Sequence, residues 1–88
     1  MKVVINTAPG GFGLSELAVR SMGVTFAESV DMDRHDPRLV QAVESLGTAA
    51  NGVCANLIIV DVDSPNYTIR EFDGIEMISE PDPAYARV

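Results

Sequence analysis

The sequence has no tryptophan, one cysteine and one histidine, and it sets only 6 lysines and arginines against 13 aspartates and glutamates. Each shortage removes a class of explanation. A lone Cys54 cannot close an intramolecular disulfide, which suits a reducing compartment. Lying in Val53-Cys54-Ala55, it reads as a small buried hydrophobe. With 3 Phe and 2 Tyr, the core has to be built from Val, Ile, Leu, Ala and Met. A net charge of −7 leaves too few cations to neutralise a phosphate backbone, so general binding to DNA or RNA is not expected. No stretch approaches the roughly 18 apolar residues of a membrane span, and the apolar run after Lys2 is too short for the core of a signal peptide. A cytoplasmic location follows as the expectation. His35 and Cys54 do not make a zinc site by themselves. The acidic residues from Glu28 to Asp36 lack the spacing and the glycine of a calcium loop, so neither metal nor cofactor is expected. His35, in Asp33-Arg34-His35-Asp36-Pro37, has no Ser or Cys nucleophile in a recognisable motif. It reads as an exposed loop residue, and the chain as a non-enzyme.

What is present is clearest in the first fifteen residues. Val3, Val4 and Ile5 have the composition of a buried strand. Asn6 to Gly13 brings Pro9 and three glycines around Phe12, and Ser15 is placed to cap a helix. The loop lacks the Lys-Ser/Thr ending of a P-loop and the spacing of a dinucleotide fold. On its own residues it is either a tight structural turn or, through the backbone N–H groups of Gly11 to Ser15, an anion cradle. Phe12 is either a stacking platform for a base or a plug in the core.

The remaining chain alternates helix and strand signals. Ser15 to about Met22 reads as a short helix stopped by Gly23, and Val24 to Phe26 as a brief strand. Asp36 and Pro37 open a second helix with Leu39, Val40, Val43 and Leu46 on one face; Gly47 or Asn51-Gly52 ends it. Leu57 to Val62 is a strand apolar enough to be covered on both faces, which points to self-association. Ser64-Pro65-Asn66 turns, Tyr67 to Phe72 alternates, Asp73-Gly74 is a hairpin turn, and a last strand runs to Ile78. The expectation is a small single α+β domain over residues 1–80, β-α-(β)-α-β-β-β, with an antiparallel C-terminal meander and two helices packed on the sheet. Residues 81–88, with Pro81 and Pro83, read as a tail. Chains of this size often gain stability by oligomerising.

The motifs, taken in order, resemble a family of small phage proteins. They are Asn6, then Gly10-Gly11-Phe12-Gly13-Leu14-Ser15, Arg34-His35-Asp36-Pro37, Ala50-Asn51-Gly52 and Glu71-Phe72-Asp73-Gly74-Ile75-Glu76, spread over roughly residues 2 to 78. The set is similar to the Thoeris anti-defence sponge proteins, which sequester the cyclic ADP-ribose signal of bacterial TIR-domain immunity, in some cases also cyclic oligonucleotides, and assemble as homo-oligomers. The chain departs from that pattern in having Ala8-Pro9 before the glycines, a short segment from Gly23 to Asp33, and Val53 after Ala-Asn-Gly. The resemblance implies a non-enzymatic immune-evasion protein of an infected host bacterium's cytoplasm, binding a small cyclic nucleotide. The ligand-binding residues so implied are Asn6, Gly10, Gly11, Phe12, Gly13, Ser15 and Asn51. Holding phosphates on an acidic protein would further require Arg34, Arg38 and Arg70 to converge, within one chain or across an interface. Two other readings fit the acidic composition: an inhibitor of a host defence protein, as an anti-CRISPR is, and an accessory phage protein without a ligand.

Overall fold

The computed structural model describes residues 1–80; the expected tail, 81–88, lies outside the described residues. The elements are β1 (Lys2–Asn6), α1 (Glu16–Met22), α2 (Phe26–Val30), α3 (Pro37–Leu46), a 3-10 turn (Gly47–Ala50), β2 (Leu57–Asp61), β3 (Thr68–Phe72) and β4 (Ile75–Ser79). This is an α+β fold with two antiparallel sheets. β1 pairs with β2, from Lys2 opposite Asp61 to Asn6 opposite Leu57. β3 and β4 form a hairpin of their own, from Thr68 opposite Ser79 to Phe72 opposite Ile75.

The apolar runs of β1 and β2 explain the layering. Val4, Leu57 and Ile59 pack with Ala18 and Val19 of α1 and Leu39, Val40 and Val43 of α3. Val3, Ile5 and Val60 pack from the opposite face with Val62, Ile69 and Ile78, two of them from the hairpin. The β1–β2 sheet is therefore the middle of three layers, and its cover on both faces comes from the chain itself. The expected meander of the last three strands does not form. β3 alternates Ile69, turned to the core, with exposed Thr68, Arg70 and Phe72, a pattern for a strand with one wet face. Such a strand cannot extend a sheet buried on both sides, so the turn at Pro65-Asn66 lifts the hairpin into a separate layer.

The helices follow their caps. Ser15 Oγ accepts the Ala18 N–H at 3.1 Å, and Gly23 closes α1 in the left-handed region, as the sequence predicts. Asp36 caps α3, with Pro37 at its first position. The brief strand expected at Val24 to Phe26 is instead the start of α2. Thr25 Oγ1 accepts the Glu28 N–H and Glu28 returns a carboxylate oxygen to the Thr25 N–H, both at 3.1 Å, a complete capping box. α3 stops at Gly47, and Asn51, at φ −69°, is not a left-handed helix stop. Cys54 is exposed rather than buried, because Val53-Cys54 forms a tight turn on the surface.

Candidate functional site

Three segments remote in sequence meet around one side chain. Asn6 is fully buried. Its Nδ2 donates to the Ala8 carbonyl at 2.7 Å and the Gly74 carbonyl at 2.8 Å, while its Oδ1 accepts from the N–H of Ala8 at 3.2 Å and of Asn56 at 2.8 Å. One amide thus ties the glycine loop, the approach to β2 and the hairpin turn together. The Asn6 backbone N–H donates to Glu76 Oε1 at 2.8 Å. Glu76, itself buried, accepts both Arg34 nitrogens, Nη1 at 2.6 Å and Nη2 at 2.8 Å. The Arg34 guanidinium lies over the Phe12 ring, 3.6 Å from its centroid. Stacked and bidentate, the guanidinium is fixed in one geometry.

The glycine loop is shaped by close backbone approach. A Cβ on Gly10 would collide with Cys54. Gly74, at φ +88° in the second position of the hairpin turn after Asp73 at +56°, sits where a Cβ would come within 2.6 Å of the Gly11 nitrogen. Paired positive φ angles mark a type I′ turn, which Asp-Gly favours. Gly13 and Gly52 are joined by a 2.9 Å hydrogen bond from the Gly52 N–H to the Gly13 carbonyl. The Ser15 N–H donates to the Ala50 carbonyl at 2.9 Å and its hydroxyl to Ala49 at 2.6 Å, so that end of the anion cradle is occupied from within the chain. Asn51 Oδ1 accepts the Leu57 N–H at 2.9 Å and helps begin β2.

Beside this frame lies a cleft of about 220 Å³ lined by Phe12, Gly13, Leu14, Phe26, Ser29, Val30 and Arg34. Phe26 and Val30 are 65% and 68% exposed, an unusual state for large apolar side chains on neighbouring turns. Arg34 brings a guanidinium to the cleft, but Glu76 already balances its charge. A guest would therefore be held mainly by aromatic and aliphatic contact.

Of the residues expected to bind a ligand, Phe12, Gly13 and Arg34 line this cleft. Asn6, Gly10, Gly11, Ser15 and Asn51 belong to the frame or the loop that forms it. The three arginines do not converge within the chain. Arg38 is paired to Asp36 at 3.1 Å and lines a different cleft, between α1 and α3, and Arg70 lies on the exposed face of β3. Sequence reasoning missed Glu76 and Phe26. Glu76 was legible only as a carboxylate in the otherwise apolar run Ile75 to Ile78; Phe26 lies within the Thr25-x-x-Glu28 capping signature, which places it on a helix. His35 is exposed as expected, with Nδ1 2.6 Å from the Tyr67 hydroxyl. Burial pushes the Tyr67 phenol above its ordinary range and the Asp33 charge adds to this, while Arg34 opposes.

Among the described residues no group of three or more His, Cys, Asp or Glu side chains could hold a metal ion, and no helix is long and apolar enough to cross a membrane. No protein-family model, curated protein or solved structure matches the chain.

Proposed function

We propose that the protein is a phage-encoded binder that sequesters a small cyclic nucleotide signal of host defence, a cyclic ADP-ribose isomer or a cyclic oligonucleotide, without chemically changing it. The observation that supports this reading is the cleft lined both by exposed Phe26 and by the Phe12–Arg34 stack. A planar base enters between these groups and is held by stacking, which is tolerant of base identity. At about 220 Å³ the cleft is below the ~300–1,000 Å³ of complete small-molecule sites, so it takes the base while the sugar and phosphates extend outward. The phosphates then meet cations from a second copy in a homo-oligomer acting in the host cytoplasm. Direct binding to nucleic acid forms no part of this reading, in keeping with the net charge of −7.

A thermal-shift screen against cyclic ADP-ribose isomers and cyclic di- and trinucleotides tests it. A ligand present at about 100 times its Kd raises Tm by roughly 15 °C in a domain of this size. Phe26→Ala abolishes most of that rise while leaving the unliganded Tm within a few degrees, because the removed ring is largely in solvent. Intact ligand is recovered after heating. No shift with any compound at about 1 mM, an undiminished shift in the variant, or a degraded ligand overturns the proposal.

A further inference from the structure

β1 and β2 share one ladder, and each has a second edge that the ladder does not use. In an antiparallel pair, successive residues direct their backbone groups alternately toward the partner strand and away from it. The Val62 N–H donates to the Met1 carbonyl and the Thr7 N–H to the Asn56 carbonyl, each at 2.8 Å. Even-numbered positions of β2 therefore face β1, and Leu57, Ile59 and Asp61 turn their backbone groups outward. On β1 the outward groups belong to Lys2, Val4 and Asn6, and those of Val4 together with the Asn6 N–H are closed off. The Val4 N–H donates to the Arg34 carbonyl at 2.9 Å, the Val4 carbonyl accepts from Arg34 Nη1 at 3.4 Å, and the Asn6 N–H is held by Glu76. On β2 the Leu57 N–H is taken by Asn51. The N–H and C=O of Ile59, those of Asp61, and the Leu57 C=O have no hydrogen-bond partner among the described residues.

Edge strands normally carry a lysine, a proline, a bulge or a cover against pairing with another chain. Leu57-Ile58-Ile59-Val60-Asp61 carries no lysine or proline, and its register with β1 runs without a bulge. We infer that a second copy of this chain pairs here, β2 against β2, antiparallel about a two-fold axis at Ile59. In that register the edge pairs with itself at Ile59 and through the Asp61 N–H, while the Leu57 N–H keeps Asn51 as its partner. Each Ile59 N–H donates to the Ile59 carbonyl of the other copy, and each Asp61 N–H to the other's Leu57 carbonyl. Ile58 meets Val60, which covers a side chain that is 39% exposed in the single chain. Asp61, the strand's one charge, lies opposite Leu57 and not opposite another carboxylate, so the pairing places no like charges across the axis. The two-stranded middle layer becomes a four-stranded sheet, a size closer to that of independently stable sheets. This inference rests on the self-association in the proposed function and names its surface; it uses none of the cleft residues, so a failed ligand screen leaves it standing and the reverse also holds.

Analytical ultracentrifugation and amide hydrogen exchange on the full chain, from about 10 µM to about 1 mM, test it. The expected result is a concentration-dependent dimer in which Ile59 amide protection rises about tenfold or more across the range. The Ile58 and Val60 amides, bonded to β1, stay protected throughout. Ile58→Lys adds the missing edge charge and raises the dimer dissociation constant by about tenfold or more, with an unchanged far-ultraviolet spectrum. If that variant fails to fold, the Ile59 amide of the unaltered chain decides alone. A monomer at every concentration overturns the inference. So does a dimer whose Ile59 amide is insensitive to concentration, which would place the contact on the exposed hairpin face of Phe72 and Met77.

Discussion

Asn6 is the residue through which the loop, β1 and the hairpin become one object. Its side chain uses two donors and two acceptors, and all of them are satisfied by backbone groups. Asn6→Asp keeps the shape and the acceptors but faces the Ala8 and Gly74 carbonyls with a carboxylate oxygen in place of an NH2. Three acceptors then crowd one buried point, and the variant loses about 3 kcal/mol or more in urea unfolding. Glu76→Gln is informative in a different way. It retains an acceptor for the Asn6 N–H but leaves Arg34, only 22% exposed at its side chain, without a counter-charge, and a cost of about 3 kcal/mol is expected from the same measurement. A cost below about 1 kcal/mol would show that the guanidinium finds water as a substitute. These roles were half visible in the sequence. Asn6 and Arg34 stand out there as polar residues in motifs, but a residue that binds a ligand and one that binds its own backbone use the same chemical groups. Only the pairing of Arg34 with a carboxylate many residues later separates the two, and spacing along the chain does not encode it.

Among the elements, those with local punctuation were the legible ones. Ser15 and Gly23 bound α1, Asp36-Pro37 opens α3, and Asp73-Gly74 makes the hairpin, each because a cap or turn is decided by the residues at hand. The position of β3 was not legible, since partner choice between strands is a matter of which faces are buried in three dimensions. α2 shows how a short element can depend wholly on its cap. It has five residues and Ser29 is its one buried residue, so packing contributes little and the Thr25–Glu28 box a large share. Thr25→Ala removes one half of the box at a cost of about 1 kcal/mol, and loosens the wall of the cleft that carries Phe26. The same box sets a pH dependence. Hydrogen bonds from the Thr25 backbone N–H and then its hydroxyl hold the Glu28 carboxyl below its ordinary pKa of 4.5. A carboxyl depressed in the folded state stabilises it above the unfolded pKa, and that contribution is lost as pH falls through the lower folded value. Order in α2 is therefore expected to decline below about pH 4, ahead of the β1–β2 sheet, as read by amide exchange at each pH. In Thr25→Ala the Glu28 titration, followed by NMR, moves up toward the ordinary value.

At the scale of the molecule, the balance of charge decides how the fold responds to solvent. Among the described residues, Lys2, Arg20, Arg34 and Arg38 are each within an ion pair, with Glu44, Glu16, Glu76 and Asp36. The remaining carboxylates outnumber the cations left to meet them, as the net charge of −7 requires. Salt acts on these two populations in opposite directions. It weakens the exposed pairs, each worth a fraction of a kcal/mol, and it screens repulsion among the surplus carboxylates, which grows with every uncompensated charge. The Arg34–Glu76 pair, largely withdrawn from water, is touched least. In a chain with this imbalance the relief of repulsion outweighs the weakening of the exposed pairs, so Tm rises by a few degrees between about 10 mM and about 150 mM sodium chloride. Two copies joined at β2 bring their charges together, so the same salt also tightens the dimer, and the gain in Tm grows with protein concentration. A Tm that falls with salt would assign the exposed ion pairs more weight than their geometry supports. A rise that is the same at every protein concentration would place the repulsion within each chain and leave the β2 edge out of it.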